Sequence, residues 1–158
     1  MKKQTWICDS CGQPIQQEQD GYIEWLMSGE GISSTGRGLR LVHHQPASPH
    51  APTGSCQYDA NLEARRDGSI LNDLSLERFL GADGLMLLLS MLAEERLPKQ
   101  EVLELTKRLH IPGYEHARFH FTRAIAAGVF EPDTLTGYHL QSDIQAVLKF
   151  VVAESAGS

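Results

Sequence analysis

The chain has 158 residues, of which 41% are hydrophobic and 22% are charged, and its 20 acidic and 14 basic side chains give a net charge of −6. This length fits one domain, or one small module joined to an ordinary core, and the composition excludes collagen, coiled coil and wholesale disorder. The acidic total argues against a protein that coats nucleic acid, although residues 96–128 carry a net charge of +3. We find no signal peptide and no apolar stretch long enough to span a membrane, so we expect a cytoplasmic protein with no membrane partner.

The first half of the chain predicts a small β module at residues 1–60. Residues 22–27 and 39–44 are rich in aromatic and branched side chains, which favour strands. The glycine-rich and serine-rich segment between them is too long for a tight hairpin turn. Residues 61–75 read as a connector to a helical domain that covers residues 76–158.

The helical domain is predicted from apolar periodicity and from breaker residues. We expect a short helix at 76–80, longer helices at 84–95, 98–110 and 114–127, a hairpin at 129–140 around Pro132 and Gly137, and a last helix at 144–153. The helix at 84–95 is apolar nearly all round, which is typical of a buried core helix. The fold class is therefore α+β.

The three cysteines indicate a metal site. Cys8 and Cys11 have the spacing C-x2-C and are followed by Gly12, so that one tight knuckle directs two thiolates at the same ion. An odd number of cysteines fits a disulfide framework poorly. Cys56 is the third thiol, and a Cys3His set needs one histidine more. A redox motif and incidental thiols remain as alternatives.

The fourth ligand comes from the adjacent pair His43 and His44 at the end of the second strand. Side chains alternate along a strand, so His43 shares a face with Leu41 whereas His44 lies on the other face. We favour His43, because the leucine face should pack near the knuckle. His44 would then face outwards or support the ligands, and His50 is a weaker substitute in a proline-rich loop.

These pieces resemble zinc-ribbon and treble-clef modules over roughly residues 6–58. In those modules a C-x2-C knuckle is joined by a hairpin to a second ligand pair. The resemblance implies a structural Zn²⁺ bound by Cys8, Cys11, His43 and Cys56. Such a site is closed, because four protein ligands leave no position for a reacting water.

The sequence at residues 43–46, His-His-Gln-Pro, loosely resembles the HNH nucleases, in which a histidine activates water beside a metal-bound phosphate. That family expects an asparagine and a further histidine downstream, and often a second C-x2-C. Asn61 fits the first expectation, but the next histidine after His50 is His110, inside a predicted helix, and there is no second C-x2-C. A metal-dependent nuclease is therefore the alternative hypothesis.

The order of three helices and a hairpin resembles the winged-helix domain, whose third helix enters the major groove of DNA. In the predicted helix at 114–127, Arg118, Phe119 and Arg123 lie on the face opposite the apolar one, and we take them as an interaction face. The predicted wing has no lysine or arginine, which counts against tight DNA binding. We therefore expect a non-enzymatic adaptor or regulator that binds a protein partner or itself, with nucleic acid as a second possibility.

Overall fold

The computed structural model describes residues 3–158 and combines small antiparallel sheets with helices, which confirms the α+β class. Five strands are present in this range: β1 (Trp6–Ile7), β2 (Pro14–Ile15), β3 (Gly21–Ser28), β4 (Thr35–His43) and β5 (Ile70–Ser75). Six α-helices are present in the same range: α1 (Ala60–Asp67), α2 (Gly81–Glu94), α3 (Lys99–His110), α4 (Tyr114–Ala117), α5 (Phe121–Ala126) and α6 (Gln141–Ala156). None of the helices in the described range is both long enough and apolar enough to cross a membrane.

The main sheet has three antiparallel strands in the order β4-β3-β5, and β1 pairs separately with β2. In the centre of the sheet, Ile23 lies opposite both Leu41 and Leu74. The register between β3 and β4 shifts after Glu24, where β4 contains one extra residue. Gly38 lies at this bulge with a φ of +69°, a backbone conformation that favours glycine.

One face of the sheet forms the main core of the protein. Ile23 and Leu41 are fully buried, and they belong to one apolar cluster with side chains of α2, α3 and the short 3₁₀ turn after β5. The members from these helical parts include Leu76, Phe79, Leu88, Val102, Leu105 and Leu109. The same cluster includes Cys8 and Cys56, so two of the candidate ligands are part of the core.

The chain forms two compact units, Met1–His110 and Ile111–Ser158. The second unit has its own apolar cluster, made of Tyr114, Ala117, Ala124, Ile144 and Val147. Both boundaries that we predicted from the sequence, at residues 60 and 75, fall inside the first unit.

The segment 61–75, which we interpreted as a connector, forms α1 and β5. The Asp59 carboxylate accepts a hydrogen bond from the Leu62 backbone N–H at 3.0 Å and so caps the start of α1. Gly68 ends this helix with a φ of +75°. β5 then pairs with β3 along six residues, so the segment is an integral part of the sheet.

Two predictions for the second unit are wrong. The helix expected at 114–127 is interrupted at residues 118–120, and this places Phe121 against His139, with ring centroids 3.8 Å apart. Residues 129–140, all within the described range, contain no strand. Val129 and Phe130 pack against the second core, and Pro132 offers no N–H for a ladder, so no hairpin forms. The element order behind the winged-helix resemblance is therefore not supported.

Candidate metal centre

The knuckle between β1 and β2 presents two thiols to one point. The Cys8 backbone N–H donates to the carbonyl oxygen of Gln13 at 3.0 Å, and the Gly12 N–H donates to that of Cys8 at 2.9 Å. Gly12 has a φ of +74°, a conformation that glycine adopts without strain. The Cys11 N–H points at the Cys8 sulfur at 3.5 Å. The tight turn therefore brings the two sulfurs together.

The main sheet and the loop that follows β4 supply the other two candidate ligands. The Nδ1 atom of His43 lies 3.4 Å from the Cys11 sulfur and 3.8 Å from the Cys56 sulfur. One ligand atom from each of Cys8, Cys11, His43 and Cys56 lies within 4.8 Å of the others. Cys8, His43 and Cys56 are buried, and Cys11 is half-buried. These four residues can bind a metal ion.

A hydrogen bond fixes which nitrogen of His43 faces the thiols. The Nε2 atom lies 3.1 Å from the carbonyl oxygen of Pro14. A carbonyl oxygen only accepts, so Nε2 must carry the proton, and Nδ1 then offers a lone pair towards the sulfurs. Metal-binding histidines commonly make such a bond with the nitrogen that does not bind the metal. His44 has a different environment, because its ring stacks on Tyr22 with centroids 4.4 Å apart.

Cys56 is held by polar groups that sequence reasoning missed. Its sulfur lies 3.1 Å from the Ser48 hydroxyl oxygen, and its carbonyl oxygen accepts a hydrogen bond from Arg40 Nη2 at 3.1 Å. Arg40 in turn donates from Nε to the carboxylate of Glu24 at 2.7 Å. Glu24 is fully buried and also accepts the backbone N–H of Tyr58. A partly buried ion pair on the sheet therefore orients the backbone of Cys56.

Burial raises the pKa of Glu24, and the guanidinium of Arg40 and the Tyr58 N–H oppose that shift. No charge pattern in the sequence indicates this pair, because the two residues are far apart in the chain. The strand register aligns them: Glu24 and Arg40 lie directly opposite each other on β3 and β4. A correct strand register would have been the only signal for it.

The knuckle is fastened to the sheet and to α3 through Asp9. The Asp9 N–H donates to the Leu41 carbonyl oxygen at 2.7 Å, and the Asp9 carboxylate accepts the Leu41 N–H at 2.8 Å. Arg108 of α3 donates to the same carboxylate at 2.8 Å and to the Ile7 carbonyl oxygen at 3.1 Å. Arg108 is buried, so this residue of the basic region 96–128 supports the knuckle instead of facing a partner.

The two knuckle thiols titrate differently. Burial raises the pKa of Cys11 to about 11. Burial also acts to raise the pKa of Cys8, but the backbone N–H groups of Cys11, His43 and Ser10 together outweigh it and lower this pKa below its ordinary value. Metal ligands are thiolates, so a bound cation would have to displace the proton of Cys11.

The predicted interaction face lies in the second unit. Phe119 is 54% exposed, and the guanidinium carbon of Arg118 lies 4.1 Å from the centre of its ring. Arg118 also pairs with Glu115 at 3.1 Å, and Arg123 pairs with Glu154 at 2.8 Å. Both arginines thus have carboxylate partners, and only the phenylalanine ring offers a large apolar surface.

Comparison of the chain with protein-family profiles, with curated proteins and with solved structures finds no match.

Proposed function

We propose that the protein binds one Zn²⁺ through Cys8, Cys11, His43 and Cys56 and that the ion is structural. The observation that carries this proposal is the spacing of the donor atoms. Zn–S bonds of about 2.3 Å and Zn–N bonds of about 2.0–2.1 Å in a tetrahedron separate two sulfurs by about 3.8 Å and a sulfur from a nitrogen by about 3.6 Å. The distances from His43 Nδ1 to the sulfurs of Cys11 and Cys56, 3.4 and 3.8 Å, fit a tetrahedron of that size.

Zinc suits this donor set better than Mg²⁺ or Ca²⁺ does. Three thiols and one imidazole are soft or borderline ligands, whereas Mg²⁺ and Ca²⁺ take oxygen ligands. Four protein ligands also leave no open position for a reacting water, which supports a structural ion over a catalytic one. The ion would connect the knuckle, β4 and the loop that carries Cys56, and so stabilise the first unit.

With a structural ion, the protein acts through its surface, as a non-enzymatic adaptor or regulator. Pairing of Arg118 and Arg123 with Glu115 and Glu154 leaves little free positive charge on the predicted interaction face. An exposed aromatic ring beside arginine is a common feature of protein interfaces. These contacts favour a protein partner over nucleic acid for this face.

The adjacent histidines provide a matched test of the zinc proposal. We expect His43→Ala to lose the metal, because its Nδ1 is the only nitrogen donor in the group of four. We expect His44→Ala to keep about one zinc per chain, because His44 only stacks on Tyr22. Metal content of the purified proteins by mass spectrometry, with thiol titration in the native state, measures both. Equal zinc content in the two variants, or three freely titrating thiols in the unchanged chain, would contradict the proposal.

The nuclease alternative predicts a different result. Plasmid DNA incubated with the zinc-loaded protein and added Mg²⁺ or Mn²⁺ should stay intact if the protein is not an enzyme. Cleavage that His44→Ala abolishes without loss of zinc would replace the adaptor role by a hydrolytic one. A gel shift with duplex DNA that weakens on adding salt, and on Arg118→Ala with Arg123→Ala, would instead assign the interaction face to nucleic acid.

A further inference from the structure

The two outer strands of the main sheet differ in how their free edges are treated. On the outer edge of β4, the Gly36 N–H donates to the carbonyl oxygen of Arg96 at 2.7 Å, and the Gly38 N–H donates to the Glu101 carboxylate at 3.2 Å. Asp9 forms hydrogen bonds with both the N–H and the carbonyl oxygen of Leu41. The β4 edge is therefore closed by polar groups from the same chain, a common protection against pairing with another strand.

The register identifies which groups of β5 point outwards. The backbone groups of Leu41 face away from β3, so its partner Ile23 must direct its own groups to β5 and form the hydrogen-bonded pair with Leu74. At the other end of β4, the N–H of Gly36 also points away from β3. Its partner Met27 must therefore direct its backbone groups to β5, which agrees with the assignment from Ile23. The alternation then directs the backbone groups of Leu71 and Asp73 to the outer edge of β5.

That outer edge is open. Within residues 3–158, no hydrogen bond to the outward backbone groups of Leu71 or Asp73 is formed, and the Asp73 carboxylate has no ion-pair partner. Ile70 at the start of β5 is 65% exposed. The edge therefore offers unpaired backbone groups and one exposed apolar side chain, which is a template for pairing with another strand.

We propose that β5 pairs with β5 of a second copy of this chain, antiparallel and about a two-fold axis at Asn72. The outward groups of Leu71 then meet those of Asp73 in the other copy, and the exposed Ile70 lies opposite Leu74. An axis at Asp73 would set two carboxylates directly opposite each other, which is destabilising. An axis at Leu71 or Leu74 would shorten the paired segment. The axis at Asn72 therefore keeps the paired segment long and keeps the two Asp73 carboxylates apart. This pairing does not depend on a bound metal ion.

Cysteine trapping tests this register in the full-length, zinc-loaded protein. On the axis, the two copies of residue 72 form a pair without hydrogen bonds, with Cα atoms about 4.5 Å apart, which a disulfide can bridge. The two copies of residue 73 would be about 8 Å apart, beyond that reach. We expect Asn72→Cys to give a covalent dimer under mild oxidation at least tenfold faster than Asp73→Cys.

Sedimentation of the unchanged protein supplies a measurement that needs no variant. We expect a monomer–dimer equilibrium that moves towards dimer as the concentration rises from low micromolar to near-millimolar. A monomer throughout this range, or equal trapping of Asn72→Cys and Asp73→Cys, would overturn the proposal. A dimer in which Asp73→Cys is trapped faster than Asn72→Cys would overturn the register at Asn72.

Discussion

Asp67 lies at the end of α1, and three donors surround its carboxylate. The Ser69 hydroxyl donates to Oδ1 at 2.5 Å, and the Ser69 backbone N–H donates to the same oxygen at 3.0 Å. Arg37 of β4 donates to Oδ2 at 2.5 Å. The Ser69 bonds, followed by Arg37, lower the pKa of Asp67 from 3.8 to about 2.

This shift gives a pH dependence with a definite sign. The pKa of Asp67 is lower in the folded state than in the unfolded state, so ionised Asp67 stabilises the fold above pH 3.8, and this contribution disappears as the pH falls towards about 2. We expect Ser69→Ala to raise the pKa of Asp67, because it removes the largest cause. An NMR titration of the Asp67 carboxyl carbon measures the shift. An unchanged pKa in that variant would assign the shift to Arg37 alone.

At the same scale, the sequence predicted the candidate ligands but not the residues that support them. The C-x2-C spacing, strand alternation at His43 and the single remaining thiol of Cys56 are local signals, and the structure brings these residues together. Ser48 and Arg40 approach Cys56 only through the folded sheet. Their roles depend on contacts between distant parts of the chain, which no spacing encodes.

Among the elements, α3 contributes most directly to the knuckle. Arg108 is buried and joins two points of the knuckle region, the Asp9 carboxylate and the Ile7 carbonyl oxygen. Removing one partner of a buried ion pair leaves the other charge without compensation and costs about 3 kcal/mol. The side chain of Asp9 is 25% exposed, so water compensates part of this cost.

We therefore expect Arg108→Met to lower the free energy of unfolding by about 2 kcal/mol in the zinc-loaded protein. Urea unfolding followed by circular dichroism measures the change. The neighbouring Lys107 is more exposed and pairs with Glu104 one turn away, so Lys107→Met is the matched control and should change the stability by less than about 0.5 kcal/mol. Equal losses in the two variants would show that the contact with Asp9 contributes nothing specific.

The elements also show where pattern reasoning fails. Strands β3 and β4 carry a strong apolar and aromatic signal, and both form close to the predicted positions. β5 has polar Asn72 and Asp73 in its middle, so its sequence resembles a loop, and only pairing with β3 makes it a strand. The short apolar segments at 129–140 show the opposite failure. Their sequence predicts strands, but the side chains of Val129 and Phe130 pack against the second core and no strand forms.

At the scale of the whole molecule, the chain has two separate apolar clusters, one in each compact unit. All four candidate ligands and the whole of the main sheet belong to the first unit. The second unit contains the predicted interaction face and no member of the metal cluster. Each unit therefore contains the residues for its own core.

This division predicts that residues 1–110, produced alone, fold and bind zinc. We expect about one zinc per chain and a single cooperative thermal transition, because the ligands and the cluster around Ile23 and Leu41 are complete in this fragment. Metal analysis and calorimetry measure both properties. A fragment that binds no zinc would contradict the prediction. So would a fragment that melts without a cooperative transition when the full chain melts cooperatively.

If two copies pair through β5 as proposed, the closed edge of β4 limits how far assembly can proceed. Two copies joined through β5 form a six-stranded sheet whose two outer strands are both β4, and each of these is already occupied by Asp9, Glu101 and Arg96 of its own chain. Growth then stops at two copies, whereas a sheet with two open edges can extend into a fibre. The knuckle that carries Cys8 and Cys11 also carries Asp9. Loss of zinc would therefore free the ligands and also loosen Asp9, which prevents a further strand from pairing with the outer edge of β4.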